Sequence, residues 1–279
     1  MTKEKVHYGP RLSAHPTGAL RAALLVAPTA TIGNARPVAG EPSAVYERAQ
    51  LQLSIFAKTL RFFGCDVVVL DPEGDDPYQS AAADTAVTFE DGVALMRPER
   101  LGRRAETARM EREFGRLDIP MAGHLVAPGL LNGSDVLLAG TTAFIGTSKR
   151  SNALGRDGFA QVARAHGFTP VEVRVSDDVP ALRSVVNAVA TDTVVIAGAR
   201  IDRAPFVQAG FKTIVLEPDE DLGAGVLCLG EHHVLADVRY SSSVQLLRRN
   251  GIVVEAIDLY DYSKIGVTPA MLAVALKRI

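Results

Sequence analysis

The residues with the clearest chemical potential lie at the end of the segment 130–152, LLNGSDVLLAGTTAFIGTSKRSN. Two apolar runs in this segment are broken by glycines, and hydroxyl, lysine, arginine and asparagine side chains follow the second run at once. Segments that follow strands and carry such residues often hold binding and catalytic groups. The glycines and the lysine lack the spacing of a phosphate-binding loop. The segment therefore predicts a binding or catalytic edge, and the question is which residue would act as its nucleophile.

A second polar run, RPERLGRRAE at 97–106, contains Arg103, Arg104 and Glu106. Most runs of this kind are solvated faces without a function. An arginine fork, however, is well suited to hold a carboxylate through two parallel hydrogen bonds. Separated arginines that meet in one cleft would therefore suit an amino-acid ligand.

The composition narrows the classes of function. The chain has 279 residues, of which 47% are hydrophobic and 22% charged, as in ordinary soluble globular proteins. A net charge of −2 and the absence of tryptophan argue against nucleic acid as a main partner. No apolar run approaches the roughly 20 residues that span a bilayer, and the first residues lack a signal-peptide core. We therefore expect a cytoplasmic protein without a membrane partner.

Cysteine usage gives no sign of a disulfide or a metal centre. The two cysteines, Cys65 and Cys228, are each embedded in apolar, strand-like sequence. Small buried side chains in a reducing compartment explain them better than a disulfide does. No H-x-x-x-H or C-x-x-C pattern is present. We expect neither a metal nor a cofactor.

One supersecondary unit recurs along the chain: a helix that ends near a glycine, followed by a β-branched strand. Its four occurrences are AKTLRFFGCDVVVL, VARAHGFTPVEVRV, PFVQAGFKTIVLEP and VQLLRRNGIVVEAIDL. The clearest helix is predicted over 41–64, and a hairpin is predicted with strands at 84–89 and 92–98. The tail 270–279 fits a strand or a short helix equally well. Because no linker divides the chain, the pattern predicts a single domain built of repeated β and α elements.

Several segments resemble dimethylarginine dimethylaminohydrolases, members of the pentein or guanidino-group-modifying superfamily. They lie in the family's order and spacing at 83–106, 130–152, 182–184, 222–238 and 262–271, and the likeness extends from about residue 20 to 272. The resemblance implies an α/β fold, a propeller-like ring of five ββαβ modules around a central polar pocket. The whole chain, 1–279, would form one pentein domain, with residues 1–18 as a flexible arm.

The resemblance also shows which catalytic groups are missing. The family's nucleophilic cysteine matches Pro269, and its general acid/base histidine matches Ala181. Asn132 stands where the family has a glutamate that steadies the substrate guanidinium, and Ala83 replaces a further acid. The family's reaction needs a thiolate to attack carbon and an acid to protonate the leaving amine. Proline and alanine can do neither.

Other positions that the family uses to bind its substrate are retained. Asp84 matches a carboxylate that contacts the guanidinium. Arg104 (or its neighbour Arg103) and Arg150 resemble the arginines that hold the amino-acid end of the ligand. With Ser148 and Asn132, these residues form the predicted ligand site.

Three functions follow from this pattern. The first is a catalytically degenerate homologue that binds a small amino-acid or guanidino-like ligand, which requires Asp84, Arg104 and Arg150 to meet at one cavity. The second is an active hydrolase or lyase in which Asp84 or Asp135 activates water, which requires a perturbed pKa there. The third is a non-enzymatic interaction protein whose pocket is filled by side chains. A homodimer is left open as the assembly.

Overall fold

The computed structural model describes residues 8, 9 and 11–279. Residues 1–7 and 10 of the expected flexible arm lie outside the described residues. Part of the remaining arm contacts the body of the protein. Leu12 is 2% exposed, and its amide donates to the carbonyl of Glu90 over 2.7 Å. Arg278 donates its amide to the carbonyl of Leu12 over 2.7 Å, because the segment passes beside the last strand.

Among the described residues, the strands form five sheets of three strands each. The first sheet contains β1 (Leu20–Val26), β2 (Asp66–Leu70) and the last strand, β15 (Ala273–Arg278). The second contains β3 (Ala86–Thr88), β4 (Val93–Leu95) and β5 (Met121–His124). The third contains β6 (Val136–Ala139), β7 (Thr142–Thr147) and β8 (Thr169–Arg174). The fourth contains β9 (Val186–Ala190), β10 (Thr193–Ile196) and β11 (Lys212–Val215). The fifth contains β12 (Leu227–Gly230), β13 (His233–Asp237) and β14 (Val253–Ile257).

Five helices connect the second strand of a sheet to its third. They are α1 (Tyr46–Phe62), α2 (Arg104–Arg116), α3 (Ala153–Ala165), α5 (Ala204–Gln208) and α6 (Ser241–Arg249). Three single-turn helices are α4 (Leu182–Val185), α7 (Tyr260–Ser263) and α8 (Pro269–Leu272). Shorter 3-10 turns lie at 32–34, 82–85, 101–103, 133–135 and 218–224. None of the described helices is long and apolar enough to cross a bilayer.

The same pairing recurs in all five sheets. The middle strand is antiparallel to one neighbour, which we call the inner strand, and parallel to the strand that follows the connecting helix. The inner strands are β3, β6, β9, β12 and β15. Because β15 at the end of the chain pairs with β1 at its start, the terminal segment completes the first module. The predicted ring of five ββαβ modules is confirmed.

The sequence pattern explains the longest helix and its limits. Leu53, Phe56 and Leu60 of α1 recur at intervals of three and four, and all three are buried. Gly64 follows with a φ of +79°, a left-handed conformation that glycine adopts without strain. The helix begins at Tyr46 instead of the predicted residue 41. Val45 is extended, and its amide donates to Asp261 over 2.8 Å.

A short helical turn precedes each inner strand. These turns are 82–85 before β3, 133–135 before β6, α4 before β9, 218–224 before β12 and α8 before β15. The inner strands surround the centre of the ring. The turns therefore lie together at the same end of these strands, and turns of neighbouring modules contact each other. Of the predicted site residues, Asp84 lies on one of these turns, Asn132 directly precedes a second, and Arg150 forms an ion pair with Asp135 of that second turn; we call this end of the ring the turn end.

Candidate functional site

Asp84 lies on the turn 82–85 and is 5% exposed. The side chain of Arg103 forms an ion pair with one of its carboxylate oxygens, and the hydroxyl of Ser134 donates to the other. The carboxylate that the resemblance assigns to a substrate guanidinium therefore already holds a guanidinium from its own chain.

Arg103 is held by more than this one carboxylate. Its Nε and Nη2 atoms donate to the two carboxylate oxygens of Glu106 over 2.9 and 2.8 Å. Nη2 also donates to the carbonyl of Ala81 over 3.1 Å, and the residue is 1% exposed. Burial alone would lower the pKa of Arg103, but the charges of Asp84 and Glu106 raise it above its usual value. Arg103 is thus a permanently charged, fully enclosed cation.

Glu106 completes this buried cluster on the first turn of α2. It is 6% exposed, and burial raises its pKa, while the bidentate pair with Arg103 opposes the rise. Arg104 points to different partners: its Nη2 donates to the carbonyl of Glu99 over 3.2 Å, and its Nε is buried without a partner. Of the two neighbouring arginines, Arg103 is therefore the one that contacts Asp84.

Arg150, the second predicted clamp, is also paired within the chain. Its Nε and Nη2 atoms donate to Asp135 over 2.9 and 3.0 Å, and its Nη1 donates to the carbonyl of Val179 over 2.8 Å. Asp135 is fully buried and also accepts the amide of Leu182 over 2.9 Å. Burial raises the pKa of Asp135 in spite of the opposing charge of Arg150. Asp135 thus joins the turn 133–135 to the segment after β7 through Arg150 and to the start of α4 through Leu182.

The remaining polar residues of the opening segment have local partners. The hydroxyl of Ser148 accepts the amide of Arg150 over 3.2 Å. The side-chain oxygen of Asn152 accepts the amide of Gly155 over 2.9 Å and caps α3. Asn132 is 7% exposed, and its side-chain oxygen accepts the amide of Glu99 over 3.1 Å.

The positions matched to the catalytic residues are closed by packing. Ala181 precedes α4, is 1% exposed and belongs to the apolar core. Pro269 is the buried first residue of α8, where a proline fits because the first helical residue needs no amide partner. Ala83 is 1% exposed, and its carbonyl lies 2.1 Å from where a Cβ on Gly133 would stand. A side chain at position 133 would therefore force these two turns apart.

The inner strands enclose a central cavity of about 90 Å³ that runs from the turn end toward the N-terminal segment. Each of the five inner strands contributes to its lining. None of Asp84, Arg104, Arg150, Ser148 and Asn132 lines it, so Asp84, Arg104 and Arg150 do not meet at this cavity as the first of the three functions requires. The polar residues of its wall are Ser13, Thr88, Arg183, Asn187 and Arg278.

Sequence reasoning missed Arg183 and Arg278 as site residues. One signal was available in the pattern: each arginine is embedded in an apolar run, in ALRSVV and AVALKRI. A charged side chain inside such a run must find a polar environment in the interior. Nothing in the sequence, however, says that the two runs meet across one cavity.

The cysteines do not provide a replacement nucleophile. Burial is the main cause that raises the pKa of Cys65 to about 12, and burial also raises the pKa of Cys228. Both thiols therefore stay protonated at neutral pH, whereas the thiolate is the reactive form. Among the described residues, no group of three His, Cys, Asp or Glu side chains could hold a metal ion.

The chain was compared with known proteins. No protein-family model matches it. It is 29% identical to the N(G),N(G)-dimethylarginine dimethylaminohydrolase of Streptomyces coelicolor over 82% of this chain and 86% of that protein. The enzyme of the same name from Pseudomonas aeruginosa is 24% identical over 81% of this chain and 87% of that protein. An uncharacterized protein of Aeropyrum pernix is 31% identical over 76% and 78% of the two chains.

The fold of this chain matches that of solved structures. The dimethylarginine dimethylaminohydrolase of Pseudomonas aeruginosa, as a cysteine-to-serine variant complexed with citrulline, superposes with a TM-score of 0.84. It is 20% identical, and the match covers 94% of this chain and all of that one. The N-terminal domain of a cyanobacterial arginine dihydrolase gives a TM-score of 0.81 at 15% identity, over 92% and 97% of the two chains.

Proposed function

The chain is a homologue of the dimethylarginine dimethylaminohydrolases with their pentein fold, and from this premise we propose that it binds a small ligand without hydrolysing guanidino compounds. The observation that carries the proposal is the buried ion pair between Arg103 and Asp84. A substrate guanidinium needs an acceptor carboxylate, and this carboxylate is neutralised from within the chain.

Displacement of Arg103 by a ligand would be costly. The residue is 1% exposed and donates to two carboxylates and one carbonyl. An incoming guanidinium would replace one set of charge-assisted hydrogen bonds with an equal set, while Arg103 would lose its own. A displaced Arg103 would also leave Glu106 without its bidentate partner. The exchange therefore offers no net gain to a guanidino substrate.

The second support is the absence of acid–base and nucleophilic groups around the cavity. Hydrolysis by the family's route needs a thiolate and a proton donor. Pro269 and Ala181 supply neither, and Cys228, the one cysteine in the cavity wall, has a raised pKa. No described histidine belongs to the cavity wall.

An active enzyme with a different catalytic set has less support. Asp135 and Glu106 both have raised pKa values, as a general base would, but each carboxylate is bound by an arginine. The carboxylate oxygens of each residue already accept hydrogen bonds from an arginine, and both residues are buried, so neither carboxylate is open to a water molecule. Burial is the main cause of the raised pKa values, and the arginines oppose it.

The ligand itself is proposed to be a small amino-acid-like molecule that is recognised through its carboxylate. The carboxylates that would receive a guanidinium are filled, so the anionic end is the part that the protein can still bind. Arg104 is partly exposed and forms no ion pair with a described carboxylate, which makes its guanidinium the best remaining donor among the predicted site residues.

The test is to incubate the purified chain with dimethylarginine, arginine and citrulline, and to follow both thermal unfolding and product. We expect no citrulline above an enzyme-free blank, and a stabilising shift with the amino acids. Methylguanidine, which lacks a carboxylate, is the matched control and should give no shift. Citrulline formation would contradict the loss of catalysis, and equal shifts with methylguanidine would contradict carboxylate recognition.

A further inference from the structure

Two arginines in the wall of the central cavity have no acidic partner among the described residues. Nε of Arg183 donates only to the side-chain oxygen of Asn187, over a long 3.4 Å. Arg278 donates to the carbonyls of Gly18 and Cys228 over 2.8 and 2.9 Å. Neither residue forms an ion pair with a described carboxylate.

This arrangement differs from that of Arg103 and Arg150, although Arg183 itself is only half-buried. Arg103 and Arg150 each have a carboxylate with two hydrogen bonds or an ion pair at close range. An interior cation is normally paired, because removing it from water without compensation is unfavourable. Burial is the main cause that lowers the pKa of Arg183 to about 10, and the charge of Arg278 lowers it further. The charge of Asp84 opposes this lowering, but no described carboxylate forms an ion pair with Arg183. The cavity wall thus contains an arginine without a directly paired acid.

A hydroxyl in the same wall also lacks a partner. Thr88 ends the inner strand β3 and is 8% exposed, and its Oγ1 is buried without a hydrogen bond. Buried hydroxyl groups in native proteins are nearly always satisfied. Ser13 supplies a second hydroxyl at the end of the cavity that the N-terminal segment lines. These groups are hydrogen-bond donors, as an anion requires.

The chemistry and size of the cavity specify the ligand further. The residues of its wall include two arginines, an asparagine and hydroxyl groups but no aspartate or glutamate. One water molecule needs roughly 10–15 Å³ of such volume, so a cavity of about 90 Å³ accepts a group of several heavy atoms. A carboxylate or a phosphate group fits this space, whereas a whole nucleotide does not.

We propose that the central cavity is a binding site for a small oxyanion, held by the guanidinium groups of Arg183 and Arg278 and by the hydroxyl of Thr88. The site lies between the inner strands and shares no residue with Asp84 or Arg150 of the turn end. It therefore does not depend on the proposed amino-acid ligand, and the two can be tested separately.

The experiment measures thermal unfolding of the full chain during titration with inorganic phosphate, sulfate or acetate, with sodium chloride at matched ionic strength as the reference. The wild-type chain is compared with Arg183→Gln and with the matched control Arg249→Gln, which changes an exposed arginine on α6. We expect a saturable rise of about 3 °C or more in the wild type and the control at tenfold excess over Kd. Arg183→Gln should lose this rise.

The phosphate and acetate arms distinguish a phosphate-bearing ligand from a carboxylate-bearing one. Equal shifts in the wild type and in Arg183→Gln would overturn the proposal, because they would reflect a general salt effect. A wild-type titration curve that does not saturate would also overturn the proposal. Thr88→Val is nearly isosteric and serves as the second variant should Arg183→Gln fail to fold. It should weaken anion binding at least threefold, and unchanged affinity in this variant would equally refute the site.

Discussion

Arg103 offers the sharpest test of how the turn end is built. It is 1% exposed, and it balances Asp84 and Glu106, which are 5% and 6% exposed. Arg103→Ala would leave two buried carboxylates without a cation. Removing one partner of a buried ion pair costs about 3–5 kcal/mol in the free energy of unfolding. Since native domains have about 5–15 kcal/mol in total, the variant should be strongly destabilised at neutral pH.

The loss should depend on pH in a definite direction. Burial already raises the pKa of Glu106, and without Arg103 this carboxyl should bind its proton more tightly in the folded state than in the unfolded state. The folded variant then carries more protons, so its stability rises as pH falls from 8 toward 5. Relative to the wild type, the destabilisation should therefore be smaller at pH 5 than at pH 8. Urea unfolding at the two values measures this difference.

The same variant can be rescued chemically. Arg103→Ala leaves a space lined by Asp84 and Glu106 that matches a guanidinium in shape and charge. Millimolar methylguanidinium should restore part of the lost stability, whereas methylammonium, a point charge without the planar fork, should restore less. Met110→Ala on α2 is the control, since it removes a side chain that is 1% exposed without exposing a carboxylate. Equal effects of methylguanidinium on both variants would refute the view that Arg103 stands in a guanidinium site.

Three further predictions follow from the interior of the ring. Ala181→His combined with Pro269→Cys should not yield citrulline from dimethylarginine in a colorimetric assay, because the guanidinium acceptors remain filled; measurable turnover would contradict this. Cys65 and Cys228 should resist a thiol reagent at pH 8 in the folded protein and react fully in urea, because burial raises both pKa values; a fast-reacting native thiol would argue against it. Arg183→Gln in anion-poor buffer at pH 7 should be as stable as the wild type or more stable, by up to roughly 3 kcal/mol, since it removes a charge with a lowered pKa of about 10. This gain should begin to shrink only as pH rises above about 10 and should vanish only near the ordinary arginine pKa of about 12.5, so urea unfolding should show a somewhat smaller gain at pH 10.5 than at pH 7; a gain that grows with pH, or a loss of stability at pH 7, would contradict the reasoning.

Much of the fold could be predicted because it depends on local patterns. Apolar spacing places α1, and the repeated helix–glycine–strand unit corresponds to the crossover of four of the five modules. Two strands were not predicted, β5 (Met121–His124) and β9 (Val186–Ala190). The first is short and partly or fully exposed along its length, and the second is buried throughout, so neither shows the alternation of a half-buried strand. The tail 270–279 fitted a helix and a strand equally well because it contains parts of both: α8 is followed directly by β15.

The candidate site could be predicted only in part, because its partners are distant in sequence. Asp84 and Arg150 were named from their types and from the resemblance. The sequence did not indicate that these side chains are already paired within the chain, because Asp84 meets Arg103 across 19 residues and Ser134 across 50. Two charged residues of a predicted ligand site can equally well pair with other side chains of the same chain. Sequence spacing does not separate these outcomes, because both need the same residue types at the same positions.

The distribution of charge inside the ring decides which ligand this protein can accept. At the turn end, the carboxylates Asp84 and Asp135 are both occupied by arginines, so a cationic guanidino group finds no free acceptor there. Further inside, Arg183 and Arg278 line the cavity, and neither forms an ion pair with a described carboxylate, although the charge of Asp84 acts on Arg183. A cation entering the cavity would meet two like charges, whereas an anion would meet their complement. The interior of this ring is therefore electrostatically suited to an anion, the opposite of what guanidinium hydrolysis requires of its site.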